Sequence, residues 1–319
     1  MGLKSRLRSK DFRRNVRYYL LALPLISVLS RLPLPAARAV GWVLGTLASR
    51  FARTSRRRAL ENLEHAFAGQ KTPRELRRIC RGVFRNTAIG VLELLVIFRW
   101  SPEKIRRVFG LEADFARIQE AIPKGTVGLT AHFGSWELLG VLYGCHLPGR
   151  LVPLAKRIYF GKFQSLVERF RQKAGLEVIH TDESPRRLVE AIEAGHILGI
   201  LPDQNLKAVS GVFVDFFGLP AYTVTAPVLL ARKLRVPLFV VLVIREGQSF
   251  RVVFDPIDIP HTDDEAADLL AGTQRWTRYL EEQIRRAPDQ WSWLHPRWRT
   301  KPGSPRKFVD RHQHAGQGP

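Results

Sequence analysis

His132 and Glu137 stand in the run Ala131-His132-Phe133-Gly134-Ser135-Trp136-Glu137, an H-x4-E spacing. An imidazole exchanges its proton near neutrality, with an unperturbed pKa of about 6.5. A carboxylate on the following turn can hold the second ring nitrogen, fix the tautomer and stabilise the imidazolium that forms. Such a pair suits acyl transfer from a thioester to an alcohol. The base removes the hydroxyl proton as the oxygen attacks, and the acceptor's oxygen replaces an enzyme serine, so no covalent acyl-enzyme is needed. The bland alternative is a structural histidine beside a helix-capping glutamate, and the local sequence weighs the two evenly. With nine histidines in the chain, one such match is expected by chance. Ser135 lacks the G-x-S-x-G surroundings of a nucleophile elbow. Cys145 reads as an ordinary buried free cysteine.

Position strengthens the pair. Residues 126–130 form a short apolar run after the turn Pro123-Lys124-Gly125, which predicts a buried strand ending just before His132. Active sites of open α/β sheets gather at the carboxyl ends of strands. Further strands are predicted at 151–154, 177–180, 197–201, 237–244 and 250–254. Helices are predicted at 74–98, 163–174, 185–194, 225–233 and 264–286, and Ser101-Pro102-Glu103 reads as the start of another. Strands alternating with helices predict an α/β fold with a largely parallel or mixed sheet flanked by helices. No internal repeat, GxGxxG or Walker A pattern is present.

The 319 residues are 45% hydrophobic and carry a formal net charge of +22, enough for one large α/β domain in a strongly basic chain. Such a field attracts nucleic acid, anionic lipid, phosphorylated substrates or acidic carrier proteins, and charge alone does not choose among them. Two cysteines make neither a disulfide framework nor a metal site. The N-terminus is a basic leader (Lys4, Arg6, Arg8, Lys10, Arg13, Arg14, Arg17) followed by apolar stretches at 18–30 and 39–48 and a second basic cluster, Arg50 to Arg58. Neither stretch reaches the ~20 residues of a spanning helix. Together they predict a hairpin or interfacial membrane anchor with both basic flanks at the cytoplasmic face, against the alternative of a buried helical pair. The expected organisation is a leader and anchor over 1–58, a catalytic domain over 59–302 and a disordered tail over 303–319.

The hexapeptide from His132 to Glu137 resembles the signature of the bacterial lipid A late acyltransferases, a family of lauroyl and myristoyl transferases whose relatives include phosphatidylinositol mannoside acyltransferases. Leu201-Pro202-Asp203-Gln204 resembles its Pro-Asp-Gln segment. Phe213 to Gly218, Ala221 to Pro227 and Val236-Pro237-Leu238 resemble its next blocks, and Gln290 to Trp298 its C-terminal signature. The blocks run in order over about 15–302. The resemblance implies a glycerolipid acyltransferase-like fold with an N-terminal membrane-anchoring helical segment, at the bacterial inner membrane with the catalytic domain on the cytoplasmic side. It implies an acyl carrier protein thioester donor, or acyl-CoA, a lipid A precursor or related glycolipid as acceptor, and no cofactor or metal. A phospholipid or a phosphatidylinositol mannoside is the alternative acceptor.

The chain departs from the family after its second strand. The Arg-Pro…Asn-Pro stretch common there is replaced by Ala155-Lys156-Arg157-Ile158-Tyr159-Phe160-Gly161, which leaves the acceptor open. Arg157 and Arg171 are either solvated or grip an acceptor phosphate. Asp203 and Gln204 either position the acceptor hydroxyl or hold a turn. Trp291, Trp293 and Trp298 read as packing with some interfacial contact. A nucleic-acid binder would carry an RNP, helix-turn-helix or zinc signature, and none is present. A non-catalytic membrane scaffold would give no reason for His132 and Glu137.

Overall fold

A computed structural model describes residues 23–157, 168–169 and 171–304. The basic leader, half of the expected helix at 163–174 and nearly all of the expected tail lie outside the described residues. The described residues begin with helices α1 (Leu23–Leu29), α2 (Leu34–Phe51), α3 (Arg53–Ala66), α4 (Pro73–Ile97), α5 (Pro102–Phe109) and α6 (Glu112–Ala121). Then come β1 (Thr126–Leu129), α7 (Trp136–His146), β2 (Leu151–Ala155), β3 (Ile179–His180), α8 (Arg186–Glu193) and β4 (Ile197–Ile200). The chain continues with β5 (Gly211–Phe216), β6 (Leu219–Val224), α9 (Ala226–Leu234), β7 (Leu238–Glu246), β8 (Ser249–Pro256) and α10 (Glu265–Arg286). α3 runs unbroken through residues 58 and 59.

Six strands form one mixed sheet in the order β3-β2-β4-β1-β7-β8. All neighbours are parallel except β7 and β8, which are antiparallel across the short turn at Gly247. The sheet is buried on both faces, which explains the unbroken apolar runs of β1, β4 and β7. In β7, Leu238, Val240, Leu242 and Ile244 join the layer built from α3, α4, α9 and α10. Phe239, Val241 and Val243 join the opposite layer, built from α6 and α7. The period-two alternation of a strand thus feeds two cores at once.

The expected cap at Ser101 forms, and the structure adds two further helix-end signals. Ser101 caps α5 by accepting from the Lys104 N–H at 3.3 Å, and Gly110 ends that helix at φ 60°. Thr72 and Glu75 form a reciprocal capping box at the start of α4. β5 and β6, which the sequence reading did not mark as strands, make a separate hairpin, turned by Phe217 and Gly218 with φ of 59° and 73°. Two consecutive positive φ values match a two-residue hairpin turn, yet the first is occupied by a phenylalanine in place of the usual Asn or Gly. Phe217 is held there by burial against Phe67 and Trp293.

α2 lies on α4 with the two backbones close together. A Cβ at Gly41 would stand 2.7 Å from the Ile89 Cα, and one at Gly45 2.6 Å from the Arg85 Cα. The opposite face of α2 exposes Trp42, Val43, Leu44, Leu47 and Phe51. Among the described residues no helix is long and apolar enough to cross a membrane.

Candidate active site

β1 and β4 are parallel neighbours in the register Leu129↔Ile200. The Thr130 N–H continues the ladder to the Ile200 carbonyl at 2.9 Å. His132 and Asp203 each stand three residues beyond that last pair, so the two strand ends deliver them side by side. The His132 Nδ1 lies 2.8 Å from the Asp203 Oδ1, and the His132 backbone N–H donates to Oδ2 at 3.0 Å. The indole N–H of Trp291 donates to the same Oδ2 at 3.0 Å. Asp203 is buried and accepts from all three groups.

These contacts set the charges. Burial opposes ionisation of Asp203, but the imidazole and its hydrogen bond, followed by the bonds from Trp291 and the His132 backbone, together hold its carboxyl below the ordinary value. Burial also works against a charged His132. The charge of Asp203, its hydrogen bond and the more distant charge of Glu137 outweigh that and raise the imidazole pKa above the usual value. His132 is thus a stronger base than a free imidazole, fixed in the tautomer that places the proton on Nδ1.

The loop between β1 and α7 is held from several sides. Phe133 bridges to Trp291 in antiparallel fashion. The Ser292 N–H donates to the His132 carbonyl and the Gly134 N–H to the Gln290 carbonyl, both at 2.9 Å. Gly134 has φ 59°, and a Cβ there would lie 1.9 Å from the Val243 carbonyl oxygen, so only glycine fits. The Gln290 side chain is in turn clamped to the main chain of Arg245, accepting from its N–H and donating to its carbonyl, each at 2.9 Å. The Trp136 ring stands 5.3 Å from the imidazole at the start of α7.

The structure changes one expected partnership. The carboxylate on the His132 ring is Asp203, whereas Glu137 turns outward, half-exposed, with its Oε2 3.6 Å from Arg171. The reason is helical geometry. Glu137 lies in the first turn of α7, which starts beyond the Gly134 turn, while the strand register fixes Asp203 directly beside the ring. Glu137 still acts on His132 through its charge. Arg171 is 18% exposed and sits at this rim. Arg157 is not brought to the site's carboxylates: it faces Asp182 at 3.0 Å and Glu183 at 3.4 Å. Gln204 follows Asp203 and is half-buried.

The segment after Asp203 is pinned to the C-terminal signature. The Asn205 N–H donates to the His295 Nε2 at 2.9 Å, and the Thr300 hydroxyl donates to the Asn205 Oδ1 at 2.9 Å. Trp291, Trp293 and Trp298 are all buried, so they pack and make no interfacial belt. Arg297 is buried too. It donates to the Tyr222 carbonyl and the Thr223 hydroxyl and lies over the Phe216 ring, and burial pushes its pKa down to about 10. Sequence reading missed Trp291 and Gln290 as partners of Asp203 and of the loop that carries His132. The signal available was the Gln290-to-Trp298 block, whose first two residues make these contacts.

The chain is similar to known proteins over most of its length. The chain is 26% identical over 309 residues to a lipid A biosynthesis lauroyltransferase of Escherichia coli (strain K12), covering 92% of this chain and 95% of that protein. It is 24% identical over 279 residues to a lipid A biosynthesis palmitoleoyltransferase of the same strain, covering 85% and 88%. A phosphatidylinositol mannoside acyltransferase of Mycolicibacterium smegmatis is 28% identical over 182 residues, covering 55% and 57%. The family model for bacterial lipid A biosynthesis acyltransferases matches residues 7–300, nearly the whole chain including both strand ends that carry His132 and Asp203, and the chain is therefore an acyltransferase belonging to that family.

Proposed function

We propose that the enzyme transfers a fatty acyl chain from an acyl carrier protein thioester to a hydroxyl of a lipid A precursor or related glycolipid, with His132 as the general base. One observation carries the mechanism: Nδ1 of His132 is committed to a buried carboxylate, so Nε2 is the nitrogen that takes the acceptor's proton. As the hydroxyl attacks the thioester carbon, its proton passes to Nε2 and Asp203 stabilises the imidazolium. The tetrahedral oxyanion collapses, the carrier thiolate leaves, and the proton on Nε2 serves to neutralise it. α7 starts beside the imidazole with no side chain capping its first turn, and its positive dipole end favours the developing negative charge.

Arg157 already faces two carboxylates, so Arg171, beside Glu137, is assigned to the acceptor's anionic group. The donor assignment rests on charge. A chain of net charge +22 steers a small acidic carrier protein toward itself, and that attraction weakens with salt. The apolar outer face of α2, bordered by Arg50, Arg53, Arg56, Arg57 and Arg58, supports interfacial seating on an anionic bilayer, at the cytoplasmic face of a bacterial inner membrane. Mass spectrometry of cellular lipids with and without the enzyme tests the acceptor: a glycolipid lacking one acyl chain should accumulate in its absence. An unchanged glycolipid pool with an altered phospholipid pool would replace this acceptor. For the donor, kcat/KM with lauroyl-acyl carrier protein should fall with rising salt more steeply than with lauroyl-CoA, and a flat response would discard the carrier.

A further inference from the structure

A buried ion cluster behind the catalytic loop has no part in the mechanism above. Glu93 of α4 has only 1% of its side chain exposed. Arg245, at the end of β7, reaches it with two nitrogens, Nη1 at 2.8 Å from Oε1 and Nη2 on Oε2. Arg38, projecting from α2, donates its Nε–H to the Glu93 Oε1 at 2.6 Å. Its Nη1 donates to the carbonyl and side chain of Gln248 at 2.9 and 2.6 Å. The two guanidiniums are about nine-tenths buried, and Arg245 also stacks over Phe250 at 4.7 Å.

Arg245 ties this cluster to the turn between His132 and Glu137 in two ways. Its Nη2 donates to the Ser135 hydroxyl at 3.1 Å, and its main chain grips the side chain of Gln290, the residue whose backbone carbonyl receives the Gly134 N–H. Ser135 occupies the N-cap position of α7, yet its hydroxyl does not cap the helix; the guanidinium engages it instead. A cap residue normally turns its oxygen onto the first-turn N–H groups. The direction of the α7 start, and with it the distance from Glu137 to the imidazole, is therefore set by Arg245, which is set by Glu93, which is shared with Arg38.

We propose that Arg38, Glu93 and Arg245 are positioning residues that make the geometry of the catalytic turn depend on the docking of α2, so that this helix serves catalysis directly, apart from any attachment to lipid. The inference deepens the proposed reading of His132 as base and rests on it. It also accounts for the glycines of α2: Gly41 and Gly45 let the helix approach α4 closely enough for Arg38 to reach Glu93.

The test is Arg38→Met in the full chain, which leaves Glu93 still held by Arg245 and so should fold. Turnover of lauroyl-acyl carrier protein with a lipid A precursor in detergent micelles should fall about tenfold in kcat, with KM for the lipid and partition into vesicles unchanged. The acid limb of the pH profile should move downward, because Glu137 no longer stands where its charge supports the imidazolium. Arg38→Lys should restore part of the loss, and Gln248→Ala should reproduce a smaller version of it. A melting temperature that falls while kcat per folded enzyme and the acid limb stay at wild-type values would make the cluster structural only and overturn the proposal. Lost vesicle partition accounting for all the lost activity, restored in detergent, would overturn it as well. His132→Ala measured alongside separates the two levels: wild-type activity there would remove the base itself, whereas an inactive His132→Ala with an unaffected Arg38→Met removes only the positioning chain.

Discussion

Two carboxylates bear on His132, from different regions of the molecule. Asp203 comes from the interior end of β4, is buried, and accepts from the imidazole, the His132 backbone and Trp291. Glu137 comes from the outer first turn of α7, is half-exposed, and faces Arg171 at 3.6 Å. The H-x4-E spacing makes Glu137 the obvious partner, yet the interior residue makes the contact. In a dry, saturated site a carboxylate orients a ring; at a wet rim it contributes mainly through charge, where solvent weakens it. The pair therefore divides two roles that the spacing alone would give to one residue.

The contrast is sharpest in activity. His132→Ala should lose ~10²–10⁴-fold in kcat, the range of general-base catalysis, and Asp203→Asn should come close to it by releasing the tautomer. Removing the Asp203 charge leaves burial as the largest influence on the imidazole, so the acid limb of kcat/KM should drop in the Asn variant. An Asp203→Asn enzyme with near wild-type turnover would return the orienting role to Glu137.

Glu137→Gln should cost roughly tenfold or less, since it removes charge at a distance and no hydrogen bond to the ring. The neutral imidazole is the active form, so activity is lost as pH falls through its pKa. That limb should lie above the ordinary imidazole value in the wild type, and the Gln variant should bring it down toward that value. A loss as large as that of His132→Ala, with an unmoved limb, would mean that Glu137 touches substrate.

The smallest effect on turnover is expected at Trp291, where part of the cost falls on folding. Trp291→Phe keeps the packing and deletes one hydrogen bond to a buried carboxylate, a change worth about 1.5–3 kcal/mol, divided between folding and transition-state support. Thermal unfolding and kcat measured together check it. Unchanged values in both would show that Asp203 is held by His132 alone.

Much of this architecture is legible in the amino-acid sequence. Apolar runs between turn residues mark the strands at 126–130, 151–154, 197–201, 237–244 and 250–254, and each is a strand within a residue or two. The Ser101 cap and the α10 start at Asp264 follow from residue types whose side chains accept backbone N–H groups. The hairpin of β5 and β6 is not legible, because its turn places a phenylalanine where a positive φ usually selects glycine or asparagine, and only packing holds it there.

That the chain folds as an α/β protein with His132 at a strand end follows from residue order, because buried strands and turns are local properties of the chain, and the acyltransferase reading follows from the resemblance of its ordered motif blocks to a known family. What His132 touches is a matter of tertiary structure. β4 inserts between β1 and β2 in the sheet, and that crossover brings Asp203 beside a histidine 71 residues earlier. Strand order depends on how helices cover both faces of the sheet, which no spacing within a motif records. The Arg38–Glu93–Arg245 cluster has the same origin, for it joins α2, α4 and β7 through burial rather than through any pattern along the chain.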